Sequence, residues 1–262
     1  MVHPFFEYFD SIKCITLKSR LDRQQNALSE GEKMGIPFKF YMADKHPEGG
    51  LVGCFMSHLE VITRAYNNGD KNIMVLEDDF CATPAYSNDV HLTNALQFLN
   101  KTPDWEVLQL GYTPLQDIHD SSGIFRFLTC SKKHQSIIRY SGLTMHAYCM
   151  SRKGMKKFID YITEYLKENN ITPIDILFCK VFSRSGYSVC PMLIDQKWCF
   201  SSDNSTISVV DAFNRKVQCA AEKTKIFYYC SLIVEYREHA LLTVFLLIMF
   251  LTLTLLTEEL LA

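Results

Sequence analysis

The sequence predicts an α/β domain with a mostly parallel, mixed sheet, followed by a C-terminal transmembrane helix. Short apolar runs alternate with longer segments of helical periodicity, which is typical of chains that build parallel sheets. With 48% hydrophobic and 21% charged residues among 262, the composition is globular and excludes collagen-like, low-complexity and disordered classes. The last apolar run is uncharged and much longer than the others.

The first half of the chain alternates three predicted strands with three predicted helices. The helix over Gly50–Asn67 has the clearest signal, because apolar side chains recur every three or four residues and Gly69 follows it closely. The strand over Asn72–Leu76 is a short apolar run that leads directly into an acidic triplet. The other predicted elements are strands at Ser11–Leu17 and Phe38–Met42 and helices at Leu21–Met34 and Ser87–Asn100.

The second half continues the alternation after an irregular stretch. Residues 111–136 are rich in turn formers and are predicted to form a long loop with one strand at most. Ser151 is placed to cap the helix that follows it. Ligand sites of such sheets lie beyond the carboxyl ends of the strands, so chemistry is expected there. The remaining predicted elements are strands at Trp105–Leu110, Leu143–Met150 and Tyr187–Pro191 and helices at Ser151–Asn169 and Asp175–Phe182.

The charge balance and the cysteine pattern exclude several functional classes. Lysine and arginine (27) nearly balance aspartate and glutamate (29), which gives a net charge of −2 and predicts no nucleic-acid partner. The ten cysteines include no C-x-x-C pair, so zinc ribbons and thioredoxin-type sites have no support. The N-terminal sequence lacks the pattern of a secretory signal, and these features together favour a reducing, cytosolic environment.

The segment Ala240–Thr257 has the length and polarity of a membrane span. It contains 18 residues without a charge, which as a helix would extend about 27 Å, close to the ~30 Å hydrocarbon core. A buried core helix is the alternative. Arg237 and His239 precede the segment and Glu258 and Glu259 follow it, which predicts a single-pass tail anchor with the preceding domain in the cytosol.

The acidic triplet Glu77, Asp78 and Asp79 is the first candidate for chemistry. Three adjacent carboxylates repel one another unless a cation neutralises them. Alternate side chains of an extended segment share a face, so Glu77 and Asp79 are expected to point together. Two oxygen donors on one face suit Mg²⁺ or Mn²⁺ held jointly with a diphosphate. A solvated acidic turn after the strand explains the triplet equally well.

Other polar residues are weaker candidates. Cys54 and His58 have i, i+4 spacing on a predicted helix and could bind a metal, although a structural or substrate hydrogen bond is the more natural role for His58. Arg20 and Arg23 flank Asp22 after the first strand, where either phosphate recognition or a solvated helix start accounts for them. The absence of a G-x-S-x-G motif disfavours nucleophilic hydrolases.

Several short motifs occur in a fixed order over roughly residues 11–205. They are Leu-x-x-Arg-x-Asp-Arg at 17–23, Gly-Cys-x-x-Ser-His at 53–58, Leu-Glu-Asp-Asp at 76–79, Gly-x-x-x-x-Ala-Tyr-x-x-Ser-Arg-x-Gly at 142–154, Pro-x-Asp at 173–175, and then Pro191, Gln196, Ser201 and Ser202. The ordered set resembles glycosyltransferase family 25, the lipopolysaccharide and procollagen galactosyltransferase type. The resemblance implies a GT-A fold, in which one nucleotide-binding domain carries a D-x-D-like metal motif.

The resemblance also implies an activity and roles for residues. The activity is an inverting transfer of galactose or glucose from a UDP-sugar to a glycan, lipid-linked or protein acceptor. Glu77 and Asp79 would hold Mn²⁺ or Mg²⁺, which bridges the donor diphosphate. The acceptor is expected to be selected by residues 111–136. The residues expected to bind the donor are Arg20, Asp22, Arg23, Asp44, Ser57, His58 and Asp78.

An inverting displacement needs a base for the acceptor hydroxyl. Asp175 is the first candidate because it occupies the Pro-x-Asp position of the resemblance, and a helix N-cap is its alternative role. Asp195 and Asp203 are reserve candidates for the base or for a third metal ligand. The expected organisation is a GT-A domain over residues 1–222, a connector over 223–239 and a membrane anchor over 240–262.

Two other functions remain open at the level of sequence. A member of the family that has lost catalysis would serve as a membrane-anchored sugar-binding or structural protein. A metal-dependent nucleotidyl or phosphoryl transferase would use a similar acidic strand end. That second alternative explains the acidic triplet but neither the Ser-His helix nor the Ala-Tyr…Ser-Arg segment.

Overall fold

A sheet of eight strands, covered by helices on both faces, organises the chain. The computed structural model describes residues 2–114, 122–197, 225 and 227–237, and the side chains of residues 122–124 are outside this description. The strands are β1 (Ser11–Leu17), β2 (Lys39–Ala43), β3 (Asn72–Glu77), β4 (Phe80–Ala82), β5 (Val107–Thr113), β6 (Lys132–His134), β7 (Ile137–Ile138), β8 (Leu143–Ser151), β9 (Tyr187–Val189) and β10 (Ile194–Gln196).

The described part of the chain has eight helices, of which five correspond to helices predicted from the sequence. A short 3₁₀ turn at Pro84–Ser87 precedes the fourth helix. The helices are α1 (Pro4–Glu7), α2 (Leu21–Met34), α3 (Gly50–Asn68), α4 (Val90–Lys101), α5 (Ser122–Leu128), α6 (Arg152–Glu168), α7 (Ile174–Phe182) and α8 (residues 227–237).

The strand order of the large sheet is β2-β1-β3-β8-β5-β9-β7-β6. Strands β2, β1, β3, β5 and β9 run in one direction, and β8 is antiparallel to both of its neighbours. The carboxyl end of β3 therefore lies at the same edge of the sheet as the beginning of β8. In the register of this sheet, Leu76 of β3 lies opposite Ala147 of β8.

Strand β3 lies at the centre of the fold and is buried on both faces. Ile73 and Val75 belong to the apolar cluster of one face, and Met74 and Leu76 belong to the cluster of the other. Helices α3, α6 and α7 cover the first face, and α1, α2 and α4 cover the second. The continuous apolar run that predicted the strand is what burial on two faces requires.

A two-stranded ribbon and the packing of helix α8 both join residues that are far apart in sequence. Strands β4 and β10 form a two-stranded antiparallel ribbon in which Gln196 lies opposite Phe80. Helix α8 packs near the β9–β10 connection, where the Ser231 hydroxyl accepts a hydrogen bond from the backbone N–H of Met192 (3.0 Å). Arg237 at the end of α8 donates to the backbone carbonyls of Leu128 and Cys130.

The structure confirms the α/β class and the mostly parallel sheet, and it corrects one segment. The predicted loop over residues 111–136 contains the end of β5, helix α5 and strand β6. The connector predicted over 223–239 includes α8. Within the described ranges, no helix is both long enough and apolar enough to cross a bilayer. The predicted span over Ala240–Thr257 lies outside those ranges.

Candidate active site

The acidic triplet lies at the carboxyl end of β3, with its side chains divided between the two faces of the sheet. Glu77 points toward α3, where its Oε1 lies 3.0 Å from Nε2 of His58. Asp78 points toward α2, and its carboxylate accepts hydrogen bonds from Thr16 (2.6 Å) and Arg23 (2.9 Å). Glu77 is the last residue of β3, and Asp78 and Asp79 form the turn that follows it.

The carboxylates of Glu77 and Asp79 converge on the side-chain amide of Gln196. The Nε2 group of Gln196 donates to Glu77 Oε2 and to Asp79 Oδ1, at 3.0 Å in each case. The β4–β10 ribbon brings Gln196 to this position, and the Lys197 N–H secures it by donating to the Asp79 carbonyl (2.8 Å). The convergence agrees with the prediction that Glu77 and Asp79 share a face.

Arg23 supplies positive charge to the triplet from the first turn of α2. Its Nη1 donates to Asp78 and, at 3.1 Å, to Asp79. Asn26, one turn later on the same helix, donates to the backbone carbonyl of Asp78 (3.0 Å). The predicted donor residue Arg23 is therefore directed at the carboxylates, and it orients the loop that follows β3.

Burial and mutual repulsion set the charge state of the triplet. Burial raises the pKa of Asp79 to about 7, and the negative charge of Glu77 adds to the rise. Burial alone would raise the pKa of Glu77, but the hydrogen bond and charge of His58 lower it below its usual value. Burial also raises the pKa of Asp78, despite its bonds to Thr16 and Arg23. The charged form is therefore favoured at Glu77 and disfavoured at Asp78 and Asp79.

His58 connects the triplet to the interior of the domain. Its ring lies between Glu77 and the fully buried Tyr148, whose hydroxyl is 3.1 Å from Nδ1. The other predicted donor residue of this helix, Ser57, gives its hydroxyl hydrogen to the Gly53 carbonyl (2.7 Å). His58 therefore touches the triplet directly, whereas the side chain of Ser57 is hydrogen-bonded within the helix.

Asp175 lies in the first turn of α7, close to the start of β8. Its carboxylate accepts hydrogen bonds from the backbone N–H groups of Ile176 (3.0 Å) and Thr144 (3.4 Å). Thr144 has a positive φ of 70°, which is rare for a β-branched residue and turns its N–H toward Asp175. Burial raises the pKa of Asp175, and the charge of Glu77 raises it further. The N-cap of α7 is Pro173, so Asp175 does not cap the helix.

His146 of β8 is buried in the protein interior, close enough to Glu77 for their charges to interact. Its Nε2 is 3.2 Å from the Ile194 carbonyl, and its Nδ1 is 3.0 Å from the Thr144 hydroxyl. Burial lowers the pKa of His146, which keeps the ring neutral. A side chain at Gly111 would collide with His146 and with the Ile194 carbonyl, so this position accepts only glycine.

The remaining predicted donor residues lie at the surface. Arg20 donates to Asp22 (2.8 Å), which lowers the pKa of Asp22 to about 2. Asp44, at the end of β2, is 78% exposed in its side chain and pairs with Lys18 (2.7 Å). Lys18, Asp44 and Ser57 line a cleft of about 840 Å³ beside β2. The structure therefore places Asp44 and Ser57 in this cleft and Asp22 outside its lining.

Sequence reasoning missed several residues of the site. Gln196 belongs to the family-like pattern, but its sequence position gives no hint that it joins two carboxylates more than 115 residues away. Thr16 and Thr144 contact the predicted residues, yet nothing in their local pattern distinguishes them from ordinary strand residues. Tyr148 belongs to the Ala-Tyr motif, but the motif does not indicate that its hydroxyl reaches His58. The reserve candidate Asp195 precedes Gln196 on β10, and Asp203 lies outside the described residues.

The geometry of Glu77 and Asp79 fits a hard divalent cation. Their two oxygens face one point, and Mg²⁺ and Mn²⁺ prefer carboxylate and carbonyl oxygens. The donor at that point is the side-chain amide of Gln196, whose oxygen would be available as a third ligand if the amide group were rotated. The repulsion that raises the pKa of Asp79 is the repulsion that a cation at this point would remove.

Comparisons with known proteins give one family match and several solved structures of low similarity. No curated protein matches the chain. A glycosyltransferase involved in the glycosylation of the major capsid of PBCV-1 is 10% identical over 73% of this chain and 95% of its own, with a TM-score of 0.42. The galactosyltransferase LgtC, solved with donor and acceptor sugar analogues, is 9% identical over 79% of this chain and 95% of its own, with a TM-score of 0.38.

Because these TM-scores are low, the assignment of the family rests on sequence. A model of glycosyltransferase family 25, described as an LPS biosynthesis protein, matches residues 46–178. The match contains the Ser-His helix, the acidic triplet, the Ala-Tyr…Ser-Arg segment and Asp175. The chain belongs to glycosyltransferase family 25 and is a glycosyltransferase.

Proposed function

We propose that the protein is a GT-A type enzyme that transfers a hexose, galactose or glucose, from a UDP-sugar with inversion and with the help of a divalent cation. The observation that carries the proposal is the convergence of Glu77 and Asp79 on one point at the carboxyl end of β3. The acceptor is a glycan, a lipid-linked sugar or a protein.

Glu77 and Asp79 hold the cation, and the amide of Gln196 turns its oxygen toward it. When bound, Mn²⁺ or Mg²⁺ supplies the positive charge that stabilises the departing nucleoside diphosphate. Arg23 stays on the far side of Asp79, where it balances part of the carboxylate charge and fixes the loop. Thr16 and Arg23 orient Asp78, so that this carboxylate stays fixed beside the cation rather than free to rotate.

Asp175 takes the proton from the acceptor hydroxyl. Two backbone N–H groups orient its carboxylate, and its pKa is raised by burial, which makes it a stronger base than an exposed aspartate. The start of β8 and the end of β3 lie at one edge of the sheet, so the base and the cation ligands face the same space. Asp175 then accepts the proton on one side of the site, and the cation ligands hold the donor on the adjacent side.

The cleft beside β2 receives the nucleoside part of the donor. Its volume of about 840 Å³ is in the range of small-molecule sites. Asp44 and Lys18 offer an acceptor and a donor of hydrogen bonds at its rim, and Ser57 lies in its wall. Arg20 and Asp22 form an exposed pair at the start of α2 and assist at the diphosphate end.

A panel of nucleotide sugars tests the proposal directly. The full chain is incubated with each sugar nucleotide and Mn²⁺, and the released nucleoside diphosphate is measured. We expect release from a UDP-hexose, loss of release in Asp79→Ala and loss after chelation of the metal. Turnover that survives Asp79→Ala contradicts the metal assignment.

The same assay separates the alternatives. Tight binding of a UDP-sugar without turnover favours a member of the family that has lost catalysis. Release of pyrophosphate from a nucleoside triphosphate, in place of diphosphate from a sugar nucleotide, favours a nucleotidyl transferase.

We also propose that Ala240–Thr257 anchors the chain in a membrane with the domain in the cytosol. Helix α8 supports the proposal, because its described part reaches Arg237, three residues before the apolar segment, and exposes an apolar stripe. This stripe consists of Tyr229, Ile233 and Tyr236, which are 54%, 59% and 54% exposed. Tyrosines of this kind are typical of the interface between membrane and water.

Vesicle experiments test the anchor and the stripe separately. Extraction of the full chain from membranes by alkaline carbonate contradicts the anchor. For the stripe, a tryptophan is introduced by Ile233→Trp, with Leu166→Trp on α6 as the control because Leu166 is also exposed. Brominated lipids in the vesicles are expected to quench the tryptophan at 233 and not the one at 166. Equal quenching at both positions contradicts an interfacial stripe.

A further inference from the structure

A second set of potential metal ligands lies beside the proposed cation site. Sulfur, nitrogen and oxygen ligand atoms of Cys54, His58 and Glu77 all lie within 4.8 Å of one another. Cys54 and His58 are one turn apart on α3, so their side chains share a face of the helix. We call this set the Cys-His-Glu trio.

The chemistry of the trio differs from that of the Glu77–Asp79 pair. Thiolate and imidazole ligands favour zinc and similar thiophilic cations, whereas two carboxylates favour magnesium or manganese. Ligand atoms around a four-coordinate zinc ion lie about 3.3–3.7 Å apart, as bond lengths of about 2.0–2.3 Å require. Because the ligand atoms of the trio lie within 4.8 Å of one another, binding of such an ion requires them to approach by roughly 1 Å at most.

The surroundings of His58 provide a second, independent observation. A metal-binding histidine usually has its other ring nitrogen held by an oxygen, which fixes the tautomer. In this protein Nε2 faces Glu77 and Nδ1 lies 3.1 Å from the Tyr148 hydroxyl, which is buried. The ring is thus already oriented with Nε2 toward the centre of the trio.

We propose that Cys54, His58 and Glu77 form a site for a thiophilic divalent cation such as Zn²⁺, and that its occupation inhibits sugar transfer. On binding, Cys54 releases its thiol proton to solvent and bonds through sulfur, His58 bonds through Nε2, and Glu77 bonds through Oε1. Water fills the fourth position.

Glu77 explains why the two sites compete. Its Oε1 belongs to the trio and its Oε2 to the pair with Asp79, so a cation held by the trio draws the carboxylate away from Asp79. The inhibitory part of the inference rests on the proposed role of Glu77 in transfer. The binding part does not, because it depends only on the three ligands.

Cobalt absorption tests the binding part without any measurement of activity. Co²⁺ is added to the reduced full chain, because a bond between cobalt and thiolate gives a charge-transfer band in the near ultraviolet. We expect this band in the wild type, its loss in Cys54→Ser and its retention in Cys81→Ser, a matched change at another partly exposed cysteine. Zinc is expected to displace the cobalt and to abolish the band.

Two further variants distinguish ligation from general damage to the fold. Tyr148→Phe removes only the hydroxyl that orients His58, and we expect zinc affinity to fall roughly 10–100-fold, as for other outer-shell partners. Melting of the metal-free variants is recorded in parallel. A cobalt spectrum without a thiolate band, or a band that survives Cys54→Ser, overturns the site.

The kinetic arm separates this inference from the proposed function. We expect micromolar zinc to inhibit transfer in the wild type and in Cys81→Ser, and Cys54→Ser to be at least about tenfold less sensitive. Equal sensitivity of Cys54→Ser and the wild type overturns the inhibitory role. A chain that shows the thiolate band but turns over no sugar nucleotide retains the trio and contradicts the proposed function.

Discussion

Two buried acidic groups at opposite edges of the same sheet have opposite electrostatic character. At the carboxyl edge, Asp78 and Asp79 of the triplet form ion pairs with one guanidinium, that of Arg23. At the amino edge, the single carboxylate of Glu106 pairs with Lys157 (2.7 Å) and Lys153 (3.6 Å).

The pKa of Asp79 is raised and the pKa of Glu106 is lowered, which reflects the difference between the two edges. Burial and like charge raise the pKa of Asp79 to about 7. Burial alone would also raise the pKa of Glu106, but hydrogen bonds from Lys157 and Ser185 lower it below its usual value. The partners of Glu106 favour its charged form, whereas burial and the charge of Glu77 disfavour the charged form of Asp79. The buried carboxylates with incomplete charge compensation therefore lie at the edge of the sheet where we propose the active site.

The largest effect is expected at Asp79. The substitution Asp79→Asn removes a cation ligand and should reduce release of UDP from a UDP-hexose roughly 10³-fold or more. It also removes repulsion, so the metal-free variant should melt at or above the temperature of the wild type. Calorimetry without metal measures the melting temperature. A variant that is inactive because it has unfolded contradicts the prediction that Asp79 lowers the stability of the metal-free protein.

Asp175→Asn should have the next largest effect. Loss of the base should lower kcat on the order of 10²-fold and leave the Michaelis constant for the donor nearly unchanged. Asp195→Asn, at the reserve candidate, is the control and should lower kcat much less. A larger loss in the control transfers the role of base to Asp195.

At the other edge, Glu106→Gln should reduce stability and leave activity intact. The variant loses hydrogen bonds to charged partners, and we expect the free energy of unfolding to fall by about 1.5–3 kcal/mol. Denaturant titration measures the fall. Unchanged stability, or loss of kcat in a folded variant, removes the distinction between the two edges.

The stability lost in Glu106→Gln should depend on pH, which gives a second test of the role of Glu106. The folded-state pKa of Glu106 is lowered, so its stabilising contribution is complete above the unfolded pKa of about 4.3 and disappears as the pH falls through the folded value. The stability gap between wild type and Glu106→Gln should therefore shrink below about pH 4.3. A gap that widens in acid contradicts this assignment.

The smallest effect is expected at the exposed pair of Asp44 and Lys18. Asp44→Asn should change the free energy of unfolding by less than about 1 kcal/mol, because both side chains are solvated. If Asp44 contacts the donor, the Michaelis constant for UDP-sugar should rise roughly two- to tenfold with kcat unchanged. Steady-state kinetics at saturating acceptor separate the two constants.

The sequence predicts the sheet and the acidic triplet well because both depend on local patterns. The bounds of Ser11–Leu17 and Leu21–Met34 agree with the structure, since the strand is bounded by turn residues and the helix ends at Gly35 with φ of 64°. Alternation along the strand also predicts that Glu77 and Asp79 face together.

Long-range pairing accounts for what the sequence does not predict. Gln196 joins the triplet only because β10 pairs with β4, and such short strands carry little periodicity. Residues 122–134 form a helix and a strand even though their turn-rich composition predicts a loop, because tertiary contacts such as Arg237 with Leu128 stabilise them.

The reversed strand β8 has a consequence for how the enzyme could change its acceptor over evolution. Thr113, at the end of β5, is the register partner of Leu143, at the start of β8, so the chain leaves and re-enters the sheet at the edge that carries Glu77. The sheet fixes both ends, and the entropy of closing the intervening segment grows slowly with its length. Ile137 and Ile138 within this segment pair with β9 in the same sheet, so we expect insertions that reshape the proposed acceptor side to be tolerated outside β7, while the proposed cation ligands keep their positions.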